Sequence, residues 1–280
     1  MSVEVPAPLA AAVADSHCHL DIKDWERTDH GDEDCSEALA AANAVNVTKI
    51  VQIGVDVDSS EWSARVASTY ENVVAAVALH PNEAPRIFER EGRSGLEAAW
   101  SRIEAAAAPE RVRAIGETGL DYYRTEPGLR EIQQESFRWH IELAKRTQKT
   151  LVIHDREAHD DVIATLLEVG APQTVVFHCF SGDAAMAELC ASHGWYLSFA
   201  GVVTFKNAQG LRDALAVTPD ELVLVETDAP FLTPTPNRGK PNASFLLPYT
   251  VREMAKVRGT DEELLATKLM ANTQRAFGAW

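Results

Sequence analysis

The stretch "AAVADSHCHLD" (residues 11–21) decides how the chain is read. An apolar run leads into Asp15, and two histidines, His17 and His19, follow two positions apart. Side chains two apart on a β-strand share a face, so a strand here aims both imidazoles at one spot while Cys18 points away. If other strands end the same way, the sheet gathers metal-ligating groups at one end.

Strand signals recur along the chain. After "AAVADSH" (11–17) come "KIVQIGV" (49–55), "NVVAAVAL" (72–79), "RVRAIGE" (111–117) and "TLVIH" (150–154), then "TVVFHCF" (174–180), "WYLSFAG" (195–201) and "ELVLVET" (221–227). Several are near-continuous apolar runs, as expected for strands covered on both faces. Helical patterns occupy 35–45, 59–70, 129–148, 160–170, 182–194 and 260–278. Serines cap the second, glycines stop the fourth and fifth, and Thr260 with Glu263 forms a capping box for the last.

Eight strands alternating with helices predict an α/β fold: a (β/α)8 TIM barrel in a single domain over 1–280, its core spanning about 13–277. A doubly wound sheet fits less well, since it usually has fewer strands and no Gly-rich dinucleotide fingerprint follows the first one. "APFLTPTPNRGKPNAS" (229–244) reads as a long loop after the eighth strand.

Composition sets outer limits. The 280 residues are 46% hydrophobic, ample for one large core. No apolar run reaches the roughly 18 residues of a membrane span. The opening "PLAAAVA" (8–14) has no basic start and follows Glu4 and Pro6, so it does not read as a secretory signal; a cytoplasmic location without membrane contact is expected. Four cysteines without CxxC spacing make no disulfide framework. A net charge of -16 leaves no sequence-independent footprint for duplex DNA, so any nucleic acid must be captured locally, by metal ions and a few basic side chains.

Barrel enzymes carry their chemistry at C-terminal strand ends. There the chain places His17 and His19 (first strand), His80 (third), Glu117 (fourth), His154 (fifth), His178 (sixth) and Asp228 (eighth). His140, His159 and His193 read as helix-surface or helix-end residues, and His30 as a solvated residue of an acidic loop. Imidazole with carboxylate is the usual ligand set for Zn, Mn or Fe. His17, His19, Glu117, His154, His178 and Asp228 are too many ligands for one hydrolytic ion that keeps an open position. Two ions sharing a carboxylate are expected.

The motifs "DSHCHLD" (15–21), "GETGLDYYR" (116–124), "VIHDRE" (152–157), "FHCFSG" (177–182) and "ETDAPFL" (226–232), with "RGKPN" (238–242), resemble those of the TatD family of metal-dependent deoxyribonucleases. The resemblance spans nearly the whole chain. It departs at "VALHPNEA" (77–84), where relatives often have glycine two before the histidine. The resemblance implies a binuclear centre of divalent ions (Mg, Mn or Zn), with His17, His19 and Asp228 on one ion, His154 and His178 on the other, and Glu117 bridging. Related barrels often bridge with a carboxylated lysine; a glutamate at 117 favours the TatD branch.

Asp228 and Glu117 are the expected catalytic residues, Asp228 taking the proton of the attacking water. Asp121 is expected to orient a ligand histidine through its second ring nitrogen. His80, Arg124, Lys206 and Arg238, with Lys240, are expected to contact substrate phosphates. Phe180, Phe205 and Phe231 either stack on bases or belong to the core. The expected activity is 3′–5′ exonucleolytic hydrolysis of single-stranded DNA or DNA ends by a monomer. The alternative is hydrolysis of an amide, ester or acyl-tRNA bond at the same centre, favoured by the acidic charge and the lack of a nucleic-acid module. A barrel kept only for binding would have lost a ligand, and none is missing.

Overall fold

A computed structural model describes residues 3–23, 26–27 and 33–280. His30, read as solvated, lies outside the described residues. In chain order the elements begin with β1 (Val13–Cys18), a small hairpin of β2 (Ile22–Lys23) and β3 (Glu26–Arg27), α1 (Ser36–Asn43) and β4 (Val47–Ile53). Next come α2 (Val57–Thr69), β5 (Val73–Val77), α3 (Glu83–Ala106), β6 (Val112–Asp121), α4 (Arg130–Thr147), β7 (Thr150–Arg156), α5 (His159–Val169) and β8 (Val175–Phe177). The chain ends with α6 (Ala184–Ser192), β9 (Tyr196–Phe199), α7 (Gln209–Val217), β10 (Val223–Val225), α8 (Leu247–Arg258) and α9 (Glu262–Phe277). Eight of the strands form one sheet in the order β1-β4-β5-β6-β7-β8-β9-β10, with helices between them, which is the (β/α)8 barrel. Each of the eight expected strands is present.

Contacts divide the chain into two compact units, Met1–Gln52 with His178–Trp280, and Ile53–Phe177. In the first unit, β1 runs parallel to β4 and β9 to β10. The sheet's first and last strands also meet there. Asp228 donates its N–H to the His17 carbonyl (2.9 Å) and His19 donates to the Ala229 carbonyl (2.9 Å). These bonds satisfy backbone groups that an open sheet edge would leave unpaired. Leu197, Phe199 and Val225 of the strands, Leu247 and Val251 of α8, and Leu265 and Leu269 of α9 are buried.

The second unit is built on β5, β6, β7 and β8, parallel and in register as Gly119 beside His154 and Asp121 beside Arg156. Strand β5 is buried at every position, and Trp62, Ile103 and Phe137 of α2, α3 and α4 are buried as well. Gly119 has φ +144°, and a Cβ there would lie 2.0 Å from the His154 carbonyl oxygen. Only glycine lets β6 approach β7 this closely.

Three expectations about local structure are corrected. Helix α2 starts earlier than its serines: Asp56 accepts from the Ser59 N–H (2.8 Å) while the Ser59 hydroxyl accepts from the Asp56 N–H (3.0 Å). Helix α9 is capped by Asp261, not Thr260, because the Asp261 carboxylate reaches the N–H groups of Glu263 (2.9 Å) and Leu264 (3.1 Å). A carboxylate there also meets the positive end of the helix dipole. His140 is fully buried rather than on a helix surface, since it lies on the face of α4 that carries Phe137, Ile141 and Ala144. Helices α3, α7 and α8 are additional to those read from the sequence. Among the described residues no helix is long and apolar enough to cross a membrane.

Candidate functional site

In the first unit the end of β1 is a wholly buried strand carrying polar residues. That arrangement is tolerable only with partners for each polar group. Asp15 accepts from the Thr227 N–H (2.9 Å), the Thr227 hydroxyl (2.6 Å) and the Ser244 hydroxyl (2.7 Å). It thereby ties β1 to the segment that carries Asp228. Burial raises its pKa to about 6 even so, against the lowering effect of those hydrogen bonds. Beyond His19 the chain is pinned by Gln52, which accepts from the Leu20 N–H (2.6 Å) and donates to Asp21 (3.2 Å).

On this frame four ligand-type side chains converge. Asp228 Oδ1 lies 3.6 Å from His17 Nε2 and 3.5 Å from His19 Nε2. His178 stacks on His17 with ring centroids 3.8 Å apart. Glu226, which the sequence reading passed over, joins them: its Oε1 accepts from the Cys179 N–H (2.8 Å) and faces His178 Nδ1 at 3.1 Å. The signal was available, since Glu226 and Asp228 repeat the two-apart spacing of His17 and His19. Cys18 points away into the interior, where burial and Asp15 push its thiol pKa well up, so it is no ligand thiolate.

In the second unit His154 sits between two carboxylates. Its Nδ1 is 2.6 Å from Glu117 Oε1 and its Nε2 is 3.3 Å from Asp121 Oδ2. His80 belongs to the same cluster, with Nε2 3.5 Å from Glu117 Oε1 and its ring 4.5 Å from that of His154. A chain of neutral groups holds Asp121. It accepts from the Arg124 N–H (2.9 Å) and the Asn82 amide (3.2 Å), Asn82 accepts from Thr125 (3.0 Å), and Gln133 donates to Thr125 (2.7 Å). Burial alone would raise the Asp121 pKa, but His154, the Arg124 N–H and Asn82 outweigh it and hold the carboxyl well below the usual range. Asp121 is thus a fixed anion.

Of the residues expected to contact substrate, Arg124, Lys206 and Arg238 are exposed. The Arg238 guanidinium lies over the Phe205 ring, 3.8 Å from its centroid. Lys240 donates to Asn237 (3.3 Å). Phe231 is partly exposed, its ring T-shaped against that of His19 with centroids 6.1 Å apart, whereas Phe180 is buried against Phe199.

Both clusters fit a divalent ion. His17, His178 and Glu226 offer ligand atoms within 4.8 Å of one another, and so do His80, Glu117 and His154. Glu226 is fully buried, no lysine or arginine pairs with it, and its Oε2 has no hydrogen-bond partner among the described residues. A buried carboxylate in that state calls for a cation. Because Asp121 holds the second nitrogen of His154, replacing it by alanine is expected to weaken metal binding at the second cluster about 10- to 100-fold. A chelator-competition titration with Mn measures this, and an unchanged affinity would remove Asp121 from the site.

The chain resembles known proteins along nearly its whole length. A family model described as TatD related DNase matches residues 14–278. A protein named metal-dependent hydrolase TatD from Mycobacterium tuberculosis is 43% identical over 273 residues, covering 95% of this chain and 98% of its own. The metal-dependent hydrolase YcfH of Escherichia coli K12 is 36% identical over 266 residues, covering 95% of each chain. The crystal structure of YJJV, a TatD homologue from E. coli K12, superposes with a TM-score of 0.84 at 28% identity, over 96% of this chain and 98% of that one. The chain belongs to the TatD-related DNase family of metal-dependent hydrolases.

Proposed function

We propose that this chain hydrolyses phosphodiester bonds with two divalent ions, as a 3′–5′ exodeoxyribonuclease on single-stranded DNA or DNA ends. The observation that carries the reading is that each unit gathers imidazole and carboxylate groups at C-terminal strand ends. His17, His19 and Asp228, with Glu226, would hold one ion, and His178, expected from the sequence on the other ion, stacks on His17 and would join them. Glu117, expected to bridge, and His154, with His80 beside them, would hold the other. When bound, such ions lower the pKa of a water and neutralise charge on the phosphoryl oxygens.

The protein's own groups do the rest. Asp228 would accept the water's proton, while Asp121 faces the second nitrogen of His154 and Glu226 faces His178, each orienting its ring. Arg124, Lys206 and Arg238 supply local positive charge in a chain of net charge -16. The same centre can polarise a carbonyl, so an amide, ester or acyl-tRNA bond is the competing substrate class.

Metal-loaded protein incubated with a 5′-labelled single-stranded oligonucleotide is expected to give a ladder shortening from the 3′ end, abolished by EDTA and restored by Mg or Mn. An intact strand under every metal, with ester or amide turnover present, would replace the nuclease by the second class.

A further inference from the structure

Arginine usage in this chain is uneven. Most guanidinium groups are committed: Arg102 to Glu61 and Asp58, Arg252 to Glu262, Arg111 to the carbonyls of Ala67, Tyr70, Glu71 and Val73. Among the described residues, the guanidinium groups of Arg124, Arg156 and Arg238 form no ion pair and no hydrogen bond. In an acidic protein an uncommitted arginine stands out, because carboxylates are abundant enough to pair with it.

Arg156 is the one whose place is most constrained. It ends β7, two residues after His154, so the two side chains leave the same face of the strand. Its backbone is in register with Asp121 at the end of β6, and the Tyr122 N–H donates to its carbonyl (3.0 Å). The guanidinium lies over the ring of Tyr123, 3.9 Å from the centroid. Tyr123 is itself 60% exposed, the highest value among the exposed aromatic residues described. The pair therefore leaves a solvent-facing aromatic surface next to five unused N–H donors, at the strand ends that carry Glu117 and His154.

We propose that Tyr123 and Arg156 form a nucleotide-recognition platform beside the Glu117–His154 cluster, Tyr123 stacking on a base and Arg156 binding the adjacent phosphate of a single strand. The proposal rests on the nuclease reading above and adds to it the residues that distinguish a nucleic acid from a smaller phosphodiester. A base stacks on any aromatic face, so the platform selects single strands without selecting sequence. A planar guanidinium grips a phosphate through two parallel N–H bonds, which an ammonium cannot do.

The test compares two substrates on the metal-loaded protein: labelled oligo-dT of about 12 nucleotides, and bis(4-nitrophenyl) phosphate, which lacks both a base and a flanking phosphate. Tyr123→Ala and Arg156→Ala are each expected to lower the ratio of kcat/KM for the oligonucleotide to that for the diester about tenfold, mainly through KM. Arg156→Ala is further expected to reduce the magnitude of the salt slope of oligonucleotide affinity by about 0.7, the value for one lost phosphate contact on a single strand. Arg156→Lys keeps charge while losing the planar fork; an intermediate ratio in that variant supports the platform if the alanine variant folds poorly. Ratios unchanged within about twofold, or both substrates slowed equally, overturn the platform. Diester hydrolysis by wild type without any oligonucleotide cleavage overturns the nuclease reading itself, and the platform with it.

Discussion

Asp228→Asn is expected to slow hydrolysis about 1,000- to 10,000-fold while leaving the fold intact. The choice of asparagine follows from the backbone. Asp228 has φ +53°, a left-handed conformation that Asn and Asp tolerate and alanine does not, so Asp228→Ala would mix a chemical loss with a folding strain of about 1 kcal/mol. The conformation is held by the bond from its N–H to the His17 carbonyl and by that from the Phe231 N–H to its own carbonyl (2.8 Å). It turns the carboxylate toward both His17 and His19. Asparagine preserves size and a carbonyl oxygen but can neither take a proton nor bring negative charge to a cation. Loss of a general base alone accounts for a factor of about 100 to 10,000, and a weakened ligand adds to it. The two contributions separate on measurement. Bound metal per chain reports the ligand, and the rate at saturating Mn reports the base. A variant within tenfold of wild type at saturating Mn would assign the proton to another group.

The strands were readable because burial on both faces leaves almost no choice of residue. "NVVAAVAL" (72–79) contains β5 without a polar interruption, and "TLVIH" (150–154) gives the start of β7. The missed helices fail for opposite reasons. Helix α3 carries Pro85 in its first turn and a break at Gly92 (φ +67°), so its amphipathic pattern is split in two. Helix α7 has nine residues and includes Gly210, and α8 opens on Leu247-Pro248 just after the Pro-rich loop, where a proline reads as a breaker although it is a legitimate helix start. Ligand-type residues at strand ends could be picked out from spacing alone, since the strand's period of two and the end of an apolar run locate them. Their supports could not. Asn82, Thr125 and Gln133 reach Asp121 from the segment after β5, the segment after β6 and α4, and no sequence period links those three places. Glu226 is the intermediate case, visible in "ETD" (226–228) but read only for its aspartate.

The stability of the protein is expected to fall by about 3 kcal/mol between pH 6.5 and pH 4 through His140 alone. His140 Nε2 accepts the Leu79 N–H (3.1 Å), and Nδ1 donates to the Ser136 carbonyl (2.7 Å), so the ring is neutral with its proton on Nδ1. Protonating Nε2 would cost that acceptor and place a cation in an interior with no carboxylate beside it. Burial accordingly lowers the pKa to about 4 from 6.5, only partly offset by the Ser136 carbonyl. The folded-state value lies below the unfolded one. Its stabilisation is therefore complete above about pH 6.5 and lost as pH falls through about 4, because the unfolded chain takes up the proton first. His140→Gln offers a carbonyl to the Leu79 N–H and an amide to the Ser136 carbonyl, and does not titrate. The stability difference between wild type and His140→Gln, from urea unfolding at a series of pH values, should thus shrink by about 3 kcal/mol across that window. The ligand-type histidines titrate in both proteins and cancel in the difference. A pH-independent difference would mean that His140 is charged, or hydrated, in the folded state. The bond it makes to Leu79 would then not be what fixes the chain after β5, one residue before His80.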